Sequence, residues 1–227
     1  MRRNTYFINE GKRIQLREKI INGVEKYNHF LVNKVFLVIC EDGSEYTLRF
    51  LKSDFRHLTG VDTDLNDDAF FELCKSRRLD IGNINEYQKY NWATLKSKAL
   101  RISQIHRLLY DNIQNTLFMI NLYTNTRTFP VAVKNTNIDT CVGFIDGHKA
   151  RTLRKYNNSN DADSQKKILL ILAKKQDEAL YDELVYTSSI ENLYKQNETI
   201  LAKMTEKMKS KFQEILKITQ ETVQTYI

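Results

Sequence analysis

Apolar residues recur at helical spacing over residues 15–30, where Leu16, Ile20, Ile21, Val24, Tyr27 and Phe30 line one face. The period then changes. Residues 35–40 form a β-branched and aromatic run, Glu41-Asp42-Gly43-Ser44 is a turn signal, and residues 45–50 alternate polar with apolar, so the pattern predicts a β-hairpin. Helical patterns follow, one beginning near Ala69 and others over residues 86–98 and 99–112. A second β-rich block predicts strands over 117–123, 126–133 and 140–145, with a tight turn at Asp146-Gly147. Residues 168–173 fit strand or helix by periodicity alone and are read as a strand. From about Ser188 the chain has no Gly or Pro, and Ile190, Leu193, Tyr194, Leu201, Met204, Met208, Phe212, Ile215, Leu216, Thr219 and Val223 share a stripe. That stripe predicts a long amphipathic helix, which must bury its apolar face on the domain, a partner or a second copy.

Composition narrows the class. A hydrophobic fraction of 41% with eleven Phe and twelve Tyr describes a folded protein, and 227 residues suffice for one sizeable core or for a domain plus an appendage. Lys+Arg outnumber Asp+Glu by 35 to 28, a net +7 that favours polyanionic partners, nucleic acid first. Cys40, Cys74 and Cys141 are isolated and odd in number, which reads as buried thiols in a reducing compartment. No apolar run spans a bilayer and no signal peptide follows Met1, so the expected location is cytoplasmic, with no membrane partner.

The chemistry concentrates just after the hairpin, in Lys52-Ser53-Asp54-Phe55-Arg56-His57-Leu58-Thr59-Gly60. An imidazole beside fixed cations can move a proton near a phosphate and hold the developing charge. Neighbouring cations would lower the pKa of His57 and keep it neutral near pH 7, as a general base requires. Lys52 and Thr59 flank it and join the candidate catalytic set on chemical grounds. A second segment, residues 147–155, holds four cations and no acid. It is read as a basic loop in which His148, Lys149, Arg154 and Lys155, with Arg56 upstream, grip a nucleic-acid backbone. Asp62-x-Asp64-x-Asn66-Asp67-Asp68 lacks the glycine and glutamate of a calcium loop, and helix capping explains it better. No nucleotide-binding glycine loop, GxSxG elbow, HExxH or CxxC pair is present, so no metal or cofactor is expected. Metal-independent acid–base chemistry with cations remains, and it suits RNA cleavage, where the ribose 2′-OH is an internal nucleophile.

The hairpin running into Phe55-Arg56-His57-Leu58-Thr59-Gly60, then Val142-Gly143-Phe144-Ile145, Lys149-Ala150-Arg151-Thr152-Leu153, and residues 168–173 leading into Lys174-Lys175, resembles a known family in its order. It is similar to the phage-associated nuclease-like domains grouped with barnase, EndoU, colicin RNases and RelE toxins, specifically their fourth phage group. The resemblance implies an α+β fold, a small antiparallel sheet packed with helices, to which periodicity adds the long C-terminal amphipathic helix. The nuclease domain would occupy residues 1–187, with a helical insertion near 62–112, and the helix 188–227. The resemblance also implies a ribonuclease of prophage, toxin or phage-defence type. His57 matches the motif histidine, Arg151 the basic position after the Gly-Phe strand, and Lys174 the lysine after the last strand. The implied partners are RNA and an antitoxin or immunity protein, with a homodimer through the C-terminal helix as a further expectation. The alternative is a non-catalytic nucleic-acid-binding or protein-interaction module on the same fold.

Overall fold

Helix α1 (Glu10–Phe30) starts where the Asn9 side chain accepts the Lys12 amide at 3.1 Å. Its buried face, Leu16, Ile20, Ile21, Val24 and Tyr27, is the one the spacing predicts. Gly23 lies on that face because a Cβ there would meet Ile102 Cγ2 at 2.6 Å, so only glycine lets helix α4 (Trp92–Ile102) approach so closely. These elements belong to a computed structural model that describes residues 5–111, 113–125, 127–146, 149–155, 162–188 and 197–214.

The remaining elements, in chain order, are β1 (Tyr6–Phe7), β2 (Lys34–Cys40), β3 (Glu45–Arg49), α2 (Asp54–Thr59), α3 (Asp67–Lys75), β4 (Tyr87–Gln88), α5 (Arg107–Tyr110), β5 (Thr116–Tyr123), β6 (Thr128–Asn135), β7 (Thr140–Ile145), β8 (Lys149–Lys155), β9 (Ala162–Lys175), β10 (Glu183–Thr187) and α6 (Asn197–Leu201). The predicted hairpin is β2–β3, and the three strands of the second block are β5, β6 and β7. The helical run expected over 86–112 is broken into β4, α4 and α5.

The expected small antiparallel sheet is replaced by a closed barrel of seven strands. Its order is β9-β2-β3-β8-β7-β6-β5, and β5 pairs back onto β9. Every pairing in the ring is antiparallel except β3 with β8, which is parallel and rests on one residue pair, Arg49 with Lys149. Two misread segments account for the difference. Residues 149–155, read as a basic loop, are strand β8, whose Ala150 and Leu153 enter the core. Strand β9 is 14 residues long, and its polar half pairs with β5 while its apolar half pairs with β2 and β10. Without both strands the sheet has edges; with them it closes.

Phe36, Val38, Leu48, Phe118, Val131, Val133, Val142, Phe144 and Ile171 fill the barrel and share one core with the apolar faces of α1, α2, α3 and α4. The three cysteines are buried free thiols. The C-terminal segment is not one long helix among the described residues. After α6 the chain bridges Met204 to Tyr181, and helix resumes over 206–214. Ile200, Met204, Met208 and Phe212 bury their stripe on Leu37, Ile39, Leu170 and Leu172, the outer face of β2 and β9 in the same chain. The rest of the expected helix lies outside the described residues. No described helix is long and apolar enough to cross a membrane.

Candidate active site

The chain leaves β3 through a tied turn. Leu51 N–H donates to Asp54 Oδ2 at 3.0 Å, Asp54 N–H returns to the Leu51 carbonyl at 3.0 Å, and Tyr27 Oη donates to that carbonyl at 2.9 Å. Helix α2 then buries Phe55 against Tyr27 and Phe71, with ring centroids 5.1 and 5.7 Å apart. It ends at Gly60, whose φ of 74° is left-handed and whose N–H caps the Arg56 carbonyl. A Cβ on Gly60 would lie 2.7 Å from Lys98 Cδ. Lys98 passes through that space from α4 and donates a hydrogen bond to the Leu153 carbonyl of β8 at 2.8 Å. Because β3 pairs with β8 at one residue pair only, α2 packs alongside the rest of β8.

This packing brings His57 into the field of β8. Burial lowers its pKa below the ordinary imidazole value, Arg151 lowers it further, and Arg56 and Lys149 add smaller effects. Asp67 acts the other way, with Oδ2 at 3.5 Å from His57 Nε2, and it also pairs with Arg56. Three residues before His57, and so beside it on the helix surface, Asp54 is 1% exposed. Burial pushes its carboxyl up to about 6, against the opposing pull of the Leu51 amide, Lys149 and Arg151. Asp54 Oδ1 is buried without a hydrogen-bond partner. The cluster therefore sets a neutral imidazole and a carboxyl that titrates near 6 beside two cations, groups suited to proton transfer next to a bound anion.

Of the residues singled out in the sequence, His57, Lys149 and Arg151 come together. Arg56 stays beside His57 but is paired with Asp67, and the other described ones are engaged elsewhere. Lys52 Nζ bonds Glu72 Oε1 at 2.8 Å and lies over the Phe71 ring. Thr59 is buried and donates to the Arg56 carbonyl at 2.7 Å. Lys155 lies 3.6 Å from Asp139, and Arg154 acts electrostatically on Lys98 and Cys141. Lys174 donates to the Ala179 carbonyl at 2.8 Å and lies over Tyr181, on β9. His148 lies outside the described residues. The Asp62–Asp68 acids serve local structure: Asn66 caps α3 through the Ala69 amide at 2.8 Å, and Asp62 accepts the Lys89 amide. No described group of three or more His, Cys, Asp or Glu side chains is placed to hold a metal ion.

Two residues escaped the sequence reading. Asp54 had a signal, since an acid three positions before a histidine shares its face in a helix. Arg49 had none locally, because only the β3–β8 pairing sets it beside Lys149. Its Nε is buried without a partner. Two surface clefts, one beside Arg13 and Tyr87 and one beside Arg17 and Arg77, include none of these residues.

The family model described as phage-Barnase-EndoU-ColicinE5/D-RelE like nuclease 4 matches residues 19–190. That span runs from within α1 past β10 and includes α2, β8 and every strand of the barrel. No curated protein and no solved structure matches the chain.

Proposed function

The chain belongs to the phage-Barnase-EndoU-ColicinE5/D-RelE like nuclease 4 family, and from that premise we propose that it is a metal-independent ribonuclease of toxin or phage-defence type acting in the cytoplasm. The observation that carries this reading is the seating of α2 on β8, which places His57 in the field of Arg151 and Lys149. Neutral His57 takes the proton of the ribose 2′-OH. Asp67, near Nε2, favours the tautomer that leaves Nδ1 free to accept it. The 2′-oxygen bonds to phosphorus and the bond to the 5′-oxygen breaks, leaving a 2′,3′-cyclic phosphate and a 5′-hydroxyl. Arg151 holds the charge on the phosphorane, and the Lys149 ammonium supplies the proton that the 5′-oxygen needs.

Purified protein incubated with total RNA in a chelator should release fragments with cyclic phosphate ends. H57A should lose cleavage by about 100-fold or more while still melting cooperatively. Cleavage by H57A at the wild-type rate would remove the assignment. Salt-steep RNA binding by the wild-type protein without any product would identify a binding module on the same fold.

A further inference from the structure

Three lysines and arginines lie in one row across the outside of the barrel. Lys174 of β9 is in register with Val35 of β2, Val35 with Arg49 of β3, and Arg49 with Lys149 of β8. Residues paired in register project to the same face. That face is the outer one, because Phe36, Val38 and Leu48, which alternate with these positions, fill the barrel. Neighbouring strands lie about 4.8 Å apart, so the row spans about 14 Å from β9 to β8.

The row is poorly built for the free protein. Arg49 and Lys149 are like charges directly opposed across adjacent strands, an arrangement that repels. Among the described residues neither has an ion pair, and Arg49 Nε is buried with no acceptor. Of the nearby acids, Glu45, on the same face of β3, pairs with Lys203, and Glu183 pairs with Lys34. Asp54, which feels Lys149, is buried with its carboxyl pushed up to about 6 and forms no ion pair among the described residues. Positive charge is thus left open along a line that ends beside Arg151 and His57. An extended polyanion running along the row would satisfy it, since each phosphate offers oxygens to both a guanidinium fork and an ammonium.

We propose that this row is a phosphate track, in which a single-stranded RNA backbone crosses β9, β2, β3 and β8, with Lys149 at the scissile phosphate, Arg49 holding the phosphate next to it and Lys174 the phosphate beyond. The identity of the ligand rests on the ribonuclease reading; the row itself does not.

The test uses a 2′-O-methyl oligoribonucleotide, which binds but has no nucleophile, so that binding is measured on the intact protein across a range of salt. R49Q and K149Q should each weaken binding several-fold and flatten the dependence of log K on log salt by about 0.7. K174Q should have a smaller effect in the same direction, and K12Q, on α1 away from the row, should have none. R49E exchanges the repelling pair for an attracting one; it should melt no lower than the wild type yet bind worse than R49Q. Wild-type salt slopes in both R49Q and K149Q would overturn the track, as would an equal loss in K12Q. Cleavage of natural RNA by H57A separates the two readings. Full cleavage by H57A with a flattened slope in R49Q would defeat the catalytic assignment and leave the track standing. A dead H57A with unchanged slopes would do the reverse.

Discussion

The two ends of β3 treat charge in opposite ways. At the hairpin end, Lys166 reaches across from β9 to Asp42 Oδ2 at 2.6 Å, Ser44 Oγ at 3.0 Å and Tyr46 Oη at 3.0 Å. Asp42 is held down to about 2 by its hydrogen bonds to Lys166 and Ser44, and the Lys166 ammonium is raised by its hydrogen bonds to Asp42 and Tyr46. At the other end, Arg49 faces Lys149 with no acid between them, and Asp54 is pushed up to about 6 with one oxygen bare. A cation whose donors are all satisfied closes a barrel. Cations left unsatisfied beside a neutral imidazole and a reluctant carboxyl are what the proposed phosphate site requires. Net charge counts both ends alike; hydrogen bonding separates them.

The strongest way to break this contrast is D54N. Because the folded-state pKa of Asp54 lies above the unfolded value, the folded protein keeps the proton between about pH 4 and 6 after the unfolded chain has lost it. This carboxyl therefore favours the fold below about pH 4, and its contribution is lost as pH rises through 6. Relative to the wild type, D54N should gain about 3 kcal/mol between pH 4 and pH 8, superimposed on a constant cost for its unpaired amide. Denaturant melts at the two pH values measure the difference. A pH-independent difference would mean that the Asp54 carboxyl keeps its unfolded-state pKa in the fold.

A smaller effect sharpens the other side. K166Q removes the ammonium that satisfies Asp42, Ser44 and Tyr46, and should cost about 1–2 kcal/mol of stability. Part of that cost should disappear as pH falls through about 2, where Asp42 itself becomes protonated. Cleavage and the salt dependence of oligonucleotide binding should stay at wild-type values. If K166Q weakened binding as much as R49Q, the two ends would not differ in purpose.

How much of this was legible in the chain follows from where the information sits. The β2–β3 hairpin and α1 were readable because their apolar periods and turn residues are local. Strand β8 was not, because a register shift between Gly143 and Phe144 puts its inward residues, Ala150 and Leu153, three apart and hides the alternation. The polar half of β9 was missed because its one long inward side chain facing the hairpin is Lys166, made tolerable by Asp42. Those two strands turn an open sheet into a barrel, so the fold class was lost with them. At the site, His57 and Arg151 were visible as residue types. Lys52, Arg56 and Thr59 looked equally suitable, and only their bonds to Glu72, Asp67 and the Arg56 carbonyl separate them from the pair that meets across α2 and β8.

The finest discrimination concerns which cation faces the imidazole. Burial is the first cause of the lowered His57 pKa and Arg151 the second, ahead of Lys149. R151Q should therefore move the His57 titration up toward the ordinary imidazole value, K149Q should move it less, and D67N should lower it further. In K166Q it should not move. The Hε1 resonance of His57, identified among the four histidines by its absence in H57A, reports the titration by NMR. Since a lowered pKa means that the folded protein binds fewer protons than the unfolded chain, R151Q should also reduce the loss of stability on acidification below about 6.5. A larger shift in K149Q than in R151Q would transfer the phosphorane contact to Lys149 and leave Arg151 to the backbone. No shift in either would mean that α2 and β8 are packed together without being coupled, and the contrast between the two ends of β3 would then be one of structure alone.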